Sequence, residues 1–129
     1  MAGVRKQRQD AIRDLVRSER IRTQSDLVAC LAEHGFDVTQ ATISRDIADL
    51  RLEKDASGIY VLPEDYRLRM TVTRSVHETR RAQNQVLLLC DPGSASSVAA
   101  ALDASQTSGV LGSIAGDDTI LVICADDAQ

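Results

Sequence analysis

The segment Thr39-Gln40-Ala41-Thr42-Ile43-Ser44-Arg45-Asp46-Ile47-Ala48-Asp49-Leu50 limits what this chain can fold into more than any other. Thr39 is of a type that caps helix N-termini. Ile43, Ile47 and Leu50 then recur at helical spacing. At about 100° per residue, Ala41, Ser44, Arg45 and Ala48 fall on the opposite side. The apolar side has to be buried against other elements. The outer side is small and polar, with one long cation. Such a face suits a DNA major groove, because small residues admit close approach, alanine can meet a thymine methyl and arginine can fork onto a guanine edge.

The preceding residues supply the elements that cover the apolar side. Ala11, Ile12, Leu15 and Val16 form the stripe of a helix predicted over Val4 to Arg17. Thr23, with Asp26 three residues on, reads as the cap of a second helix. Leu27, Val28 and Leu31 form its stripe, and Gly35 is placed to end it. Two helices, a short turn and a third helix with a polar outer face make a helix-turn-helix.

After Leu50 the period changes. Leu52-Glu53-Lys54 and Ile59 to Leu62 read as short strands joined by Asp55-Ala56-Ser57-Gly58, which is turn chemistry. This hairpin is the wing of a winged helix-turn-helix, and Lys54 is placed on it to meet a phosphate. Pro63 stops the second strand. Residues 1–63 are therefore expected to form one domain, 64–69 a charged linker, and 70–129 a second domain. In the second part Met70, Val72 and Val76 alternate with polar residues as in a half-buried strand. Gln85 to Cys90 is an apolar strand. Ser94 to Asp103 is an alanine-rich helix. Val110 to Ala115 and Thr119 to Cys124 form a final hairpin. The fold class is mixed α/β (α+β): a winged helix-turn-helix followed by a small α+β sandwich.

Charge separates the two parts. The net charge is −4, yet all 15 Lys and Arg lie at or before Arg81. Beyond it stand six aspartates and no cation. That asymmetry suits a nucleic-acid end and an end that receives a cation. Aromatic residues number three, so the cores rest on Leu, Ile, Val and Ala. Modules this small bury little surface for their size, which favours self-association. The three cysteines are far apart and lie in apolar runs, which fits buried thiols in a cytoplasmic protein. No signal-peptide pattern opens the chain, and no apolar run nears the ~20 residues of a membrane span.

Two constellations carry chemistry. On the third helix, Arg45 is the candidate base reader, with Ser44 and Thr42 for a base edge or phosphate and Gln40 for an adenine edge. Thr23 and Gln24 open the second helix, where backbone N–H groups can hold a phosphate. The second constellation is Gly116-Asp117-Asp118. Two adjacent carboxylates in a tight turn match a guanidinium with parallel hydrogen bonds. Asp103 is placed to take an amino group, and the N–H groups at Pro92-Gly93-Ser94 to take a carboxylate. Together these suit an amino acid with a cationic side chain. Gly-Asp-Asp is also ordinary turn chemistry. A divalent ion on Asp117 and Asp118 is a third reading, although His77 is the only histidine of that half and no full ligand set is visible. No nucleophile stands beside a base and no glycine loop cradles phosphate, so the chain does not read as an enzyme.

Thr39 to Ile47 and Gly112-Ser113-Ile114-Ala115-Gly116-Asp117-Asp118-Thr119 resemble the two signatures of the bacterial arginine repressor family. Pro92, Gly93, Ala95, Val98, Ala99, Leu102 and Asp103 also fit that family's ligand-domain helix, and the resemblance runs over nearly the whole chain. It implies a repressor of arginine biosynthesis genes that binds paired operator boxes in double-stranded DNA. It implies a C-terminal domain that forms trimers stacking into a hexamer, with L-arginine as corepressor between trimers and no other cofactor. The guanidinium would fall on Asp117 and Asp118, the helix-end acid on Asp103, and further ligand contacts on Ala95, Ser96, Ser113 and Ala115. Ser96 stands where the family often has an amide or imidazole. The family continues into a final helix where this chain has Asp126-Asp127-Ala128-Gln129, which would leave part of the sheet uncovered. The competing reading is a DNA-binding module fused to a metal-dependent or ligand-independent oligomerisation domain.

Overall fold

The computed structural model describes residues 2–126 and divides into two compact units between Pro63 and Glu64. The first unit begins with α1 (Ala2–Ser18), α2 (Gln24–Glu33) and α3 (Gln40–Asp49). Each boundary has a local cause. Thr23 Oγ1 accepts from the Asp26 N–H at 3.0 Å while the Asp26 carboxylate accepts from the Thr23 N–H at 3.2 Å, a complete capping box on α2. Gly35 has φ +86°, and the Phe36 N–H reaches back to the Leu31 carbonyl at 2.9 Å, which closes the helix. Thr39 caps α3 by accepting from the Thr42 N–H.

Strands β1 (Glu53–Lys54) and β2 (Tyr60–Val61) pair antiparallel as the predicted hairpin. Ile12, Leu15, Val16, Leu27, Leu31 and Ile43 make the helical core, and Leu52, Tyr60 and Leu62 carry the hairpin into it. The Tyr60 N–H donates to the Ile21 carbonyl at 2.9 Å, fastening the hairpin to the α1–α2 connection.

The next element corrects the sequence reading. Residues 64–69, expected as a linker, and Met70 to Ser75, expected as strand, form one helix, α4 (Pro63–Ser75). Pro63 does not merely stop β2. Its fixed φ suits a first helical residue, and Glu64 and Asp65 in the first turn favour the helix dipole. The Thr71 and Thr73 hydroxyls donate to the carbonyls of Arg67 and Arg69, four residues back, so the polar positions that mimic strand alternation are satisfied within a helix. The strand comes later, as β3 (Val76–Ala82), and is mostly exposed and charged. It is an edge strand, which explains both its charge and its weak sequence signal.

The second unit continues with β4 (Gln85–Cys90), α5 (Ala95–Ser105), β5 (Val110–Ala115) and β6 (Thr119–Cys124). The four strands form an antiparallel sheet in the order β3-β4-β6-β5. One face, with Val86, Leu88, Cys90, Ile120, Val122 and Cys124, packs under Ala95, Val98 and Leu102 of α5. Cross-strand register places Leu87 opposite Leu121, and Leu121 opposite Ile114, on the other face. Leu87, Leu89, Leu121 and Ile123 are only half-buried there, and Ile114 is 72% exposed. Cys90 and Cys124 are buried and Cys30 is half-buried, all three as free thiols. Burial pushes the Cys30 and Cys90 thiols up, so neither is an activated nucleophile.

Candidate DNA interface and acidic turn

The outer face of α3 is where helical geometry places it. Gln40, Ala41, Ser44, Arg45 and Ala48 are exposed, and Ile43 is fully buried beneath them. Thr42 is half-buried, and its Oγ1 accepts from Thr39 Oγ1 at 3.1 Å, so it supports the cap. Gln40 Nε2 lies 3.5 Å from Gln24 Oε1, which brings the N-termini of α2 and α3 side by side. Thr23 stands beside Gln24 with its oxygen engaged in the cap. Lys54 is exposed on the hairpin with its ammonium 5.2 Å from the Tyr60 ring centre, a cation–π contact that steadies a flexible side chain. The candidate residues therefore lie on the start of α2, the exposed side of α3 and the hairpin.

Some of the residues that set this geometry are absent from the sequence reading. Asp46 is 1% exposed, the only charged residue in the buried core among the described residues. It receives Arg8 through two bonds, Nε to Oδ2 and Nη2 to Oδ1 (3.0 Å), and Gln9 Nε2 at 3.1 Å. Burial pushes its carboxyl up. Arg8, Gln9 and the more distant Arg5 outweigh that and hold it below the ordinary aspartate range. One turn along both helices, Arg5 pairs with Asp49 on the surface. The signal was present: Asp46 follows Ile43 by three residues, so it shares the apolar side, and a carboxylate there requires a partner. Arg22 is a second such residue, its Nη1 donating to the Ser57 carbonyl at the hairpin tip at 2.8 Å.

Residues 1–63 carry ten cations and ten acids. Attraction to phosphate therefore rests on where the cations stand rather than on net charge. The Arg8–Asp46 pair takes one charge of each sign out of the surface, and Asp26 keeps its charge while it serves the α2 cap, so the balance stays even.

At the other unit, the β5–β6 turn is clamped to the start of α5. The Asp117 carbonyl accepts from the N–H groups of Gly93 (3.1 Å) and Ala95 (3.3 Å), and the Asp118 carbonyl from the Cys90 N–H (2.7 Å). The backbone is thus fixed while both carboxylates stay exposed, with Asp118 Oδ1 accepting from Thr119 Oγ1 at 3.1 Å. This corrects one expectation. The N–H groups around Pro92-Gly93-Ser94 are not open to a ligand carboxylate, because Gly93 serves Asp117 and Ser94 serves the Asp91 carbonyl. Ala95 is fully buried and its N–H is also taken, so within one protomer it supports the turn from beneath. Ser96 is exposed one residue further on. Ser113 is half-buried and Ala115 exposed on β5, registered opposite Val122 and Ile120.

Asp103 is elsewhere. It lies in the last turn of α5, on a shallow groove of about 190 Å³ with Gln106, Thr107, Leu111 and Gly112. Eight residues of helix separate it from Ala95, about 12 Å of rise. The acids that the sequence grouped together therefore stand at opposite ends of α5. Among the described residues, no three His, Cys, Asp or Glu side chains converge, and no helix is long and apolar enough to cross a membrane.

Residues 4–68 match the family described as "Arginine repressor, DNA binding domain", and residues 72–129 match "Arginine repressor, C-terminal domain". A protein named Arginine repressor from Solibacter usitatus is 44% identical, over 92% of this chain and 84% of its own length. Proteins of the same name from Carboxydothermus hydrogenoformans and Bacillus velezensis are 42% and 40% identical, over 95% and 92% of this chain and 89% and 86% of theirs. The family is one of transcriptional repressors rather than enzymes. The chain, whose helical first unit falls on the DNA-binding match and whose sheet-and-helix second unit falls on the other, belongs to the arginine repressor family.

Proposed function

We propose that this chain is an arginine-responsive repressor of arginine biosynthesis genes, acting in the cytoplasm on paired operator boxes. Gln40, Thr42, Ser44 and Arg45 meet the major groove, Thr23 and Gln24 anchor a phosphate, and Lys54 carries the wing to the backbone. L-arginine is the corepressor, with its guanidinium on Asp117 and Asp118. The observation that carries this reading is the separation of Asp103 from the acidic turn along α5. In this reading the ligand is enclosed by two copies, each giving one end of its helix. Ser96, with Ser113 and Ala115 on β5, lines the rest. The apolar second face of the sheet, with Leu87 and Leu121 half-buried and Ile114 exposed among the described residues, supports self-association into trimers, and the ligand then joins trimers into a hexamer.

The mechanism is linkage. A ligand that binds the assembled form better than separate trimers draws the equilibrium toward assembly. Assembly offers several recognition helices to neighbouring boxes at once, which raises affinity through effective concentration. A guanidinium arriving between aspartates also relieves their mutual repulsion, and no Lys or Arg beyond Arg81 competes for them.

Arg45→Ala tests the DNA assignment. The exchange is expected to cost ~1–3 kcal/mol of discrimination at the base that Arg45 reads, with non-specific binding much less affected. Mobility shifts on a duplex enriched by the wild-type chain, and on its single-base variants, give the measurement. Unchanged affinity together with unchanged base preference would remove this helix as the reader.

A further inference from the structure

The feature left over by the DNA reading is the polar ladder between α1 and α3. Its inner rung is the buried pair Arg8–Asp46, with both carboxylate oxygens engaged by one guanidinium. Its outer rung is Arg5–Asp49, three residues away on each helix. Gln9 spans the two, at 3.1 Å from Asp46 Oδ1 and 3.5 Å from Asp49 Oδ2. On its other sides α3 is held by Ile43, Ile47 and Leu50. Apolar contacts of that kind are non-directional and leave rotation about the helix axis soft. A forked pair of hydrogen bonds fixes distance and angle together.

Stability alone does not account for a buried ion pair, since well-packed apolar residues of similar volume are often as stabilising or more so. Asp46, however, directly follows Arg45. A rotation of α3 by ~10° would displace a group at the ~6 Å outer radius of the helix by ~1 Å, enough to spoil a bidentate contact. Resting on the DNA reading above, we propose that Arg8 and Asp46 are positioning residues for base recognition: their buried fork sets the rotation of α3 so that Arg45 meets a base edge squarely. The outer rung assists. Asp49 stands one turn beyond Arg45 on the same helix, within reach as an i,i+4 partner. Arg5 takes that place instead, which leaves the Arg45 guanidinium to the DNA.

The test separates positioning from folding. The probe is a duplex enriched by the wild-type chain from a randomised pool, paired with a shuffled duplex of the same composition. The double variant Arg8→Met with Asp46→Leu removes the fork and keeps the volume. It is expected to unfold at or above the wild-type midpoint and to keep shuffled-duplex affinity within about 2-fold at low salt, while the enriched-to-shuffled ratio falls by ~10-fold or more. A ratio within about 2-fold of wild type, in a folded double variant, overturns the proposal. If the double variant does not fold, Arg8→Lys keeps the charge and loses the fork. The same loss of ratio is then expected, and an unchanged ratio overturns the proposal in the same way. Failure of the wild-type chain to enrich any duplex over its shuffled form is the distinct result that removes the DNA reading itself, and this inference with it.

Discussion

An Asp118→Asn variant is expected to fold, to bind DNA weakly and salt-dependently, and to lose its response to L-arginine. The fold has little reason to change. Asp118 uses its backbone carbonyl to accept from Cys90, and its exposed side chain accepts only from the neighbouring Thr119 hydroxyl. An amide of the same shape keeps both. What it removes is charge. Hydrogen bonds to charged groups contribute ~1.5–3 kcal/mol, against about half that for neutral ones. An amide nitrogen facing a guanidinium also offers a donor to a donor. A loss of ~10-fold or more in arginine affinity follows, enough to disable a switch worth only ~1–3 kcal/mol of coupling. Calorimetry reads the affinity, and mobility shifts with and without arginine read the response. Undiminished arginine uptake by the variant would refute the assignment of the acidic turn.

Asp46→Ala carries the largest expected cost to stability. It strands Arg8, only 13% exposed, against a wall that no longer balances its charge. Removing one partner of a buried pair typically costs ~3–5 kcal/mol. Urea unfolding followed on the helical unit measures it at pH 7. The pH dependence is a second check. Asp46 is held below its ordinary range in the folded chain. Its stabilising contribution is therefore present above the unfolded aspartate value of ~3.9 and is lost as pH falls through the lower folded value. The gap between wild type and Asp46→Ala is thus widest near neutrality and narrows as pH falls below ~4. Curves that superimpose from pH 7 downward would contradict the role given to this pair. The volume-matched double variant is expected to recover the loss while still failing to discriminate bases, which separates the two contributions of one contact.

The parts of this fold that were legible in the sequence are those set by neighbours in the chain. Thr23, Gly35 and Thr39 act within three or four residues, so their caps could be read directly. The exposed side of α3 followed from helical periodicity alone, and the alternating or continuous apolar runs of β4, β5 and β6 needed no more. α4 was missed because Pro63 can end a strand or begin a helix, and Met70, Val72 and Val76 satisfy the period of a strand by coincidence. What decides between them is Val72 packing beneath the sheet unit, a contact with no local signature. The same holds for the acidic turn. The residues Asp117 and Asp118 were visible, but the clamp of the Asp117 carbonyl on Gly93 and Ala95 spans more than twenty residues, and it uses the donors that local sequence leaves open. Asp103 was grouped with the turn because chemistry suggested one site. Helix length then put it at the far end. The expected lack of the family's final helix falls on residues 126–129, of which 127–129 lie outside the described residues.

Sedimentation velocity with and without L-arginine, at one protein concentration and alongside footprinting on the enriched duplex, addresses the central claim most directly. A heavier particle and a deeper footprint are expected when the amino acid is present, both abolished by Asp118→Asn. Equal particle mass and an equally faint footprint in the two conditions would contradict that claim.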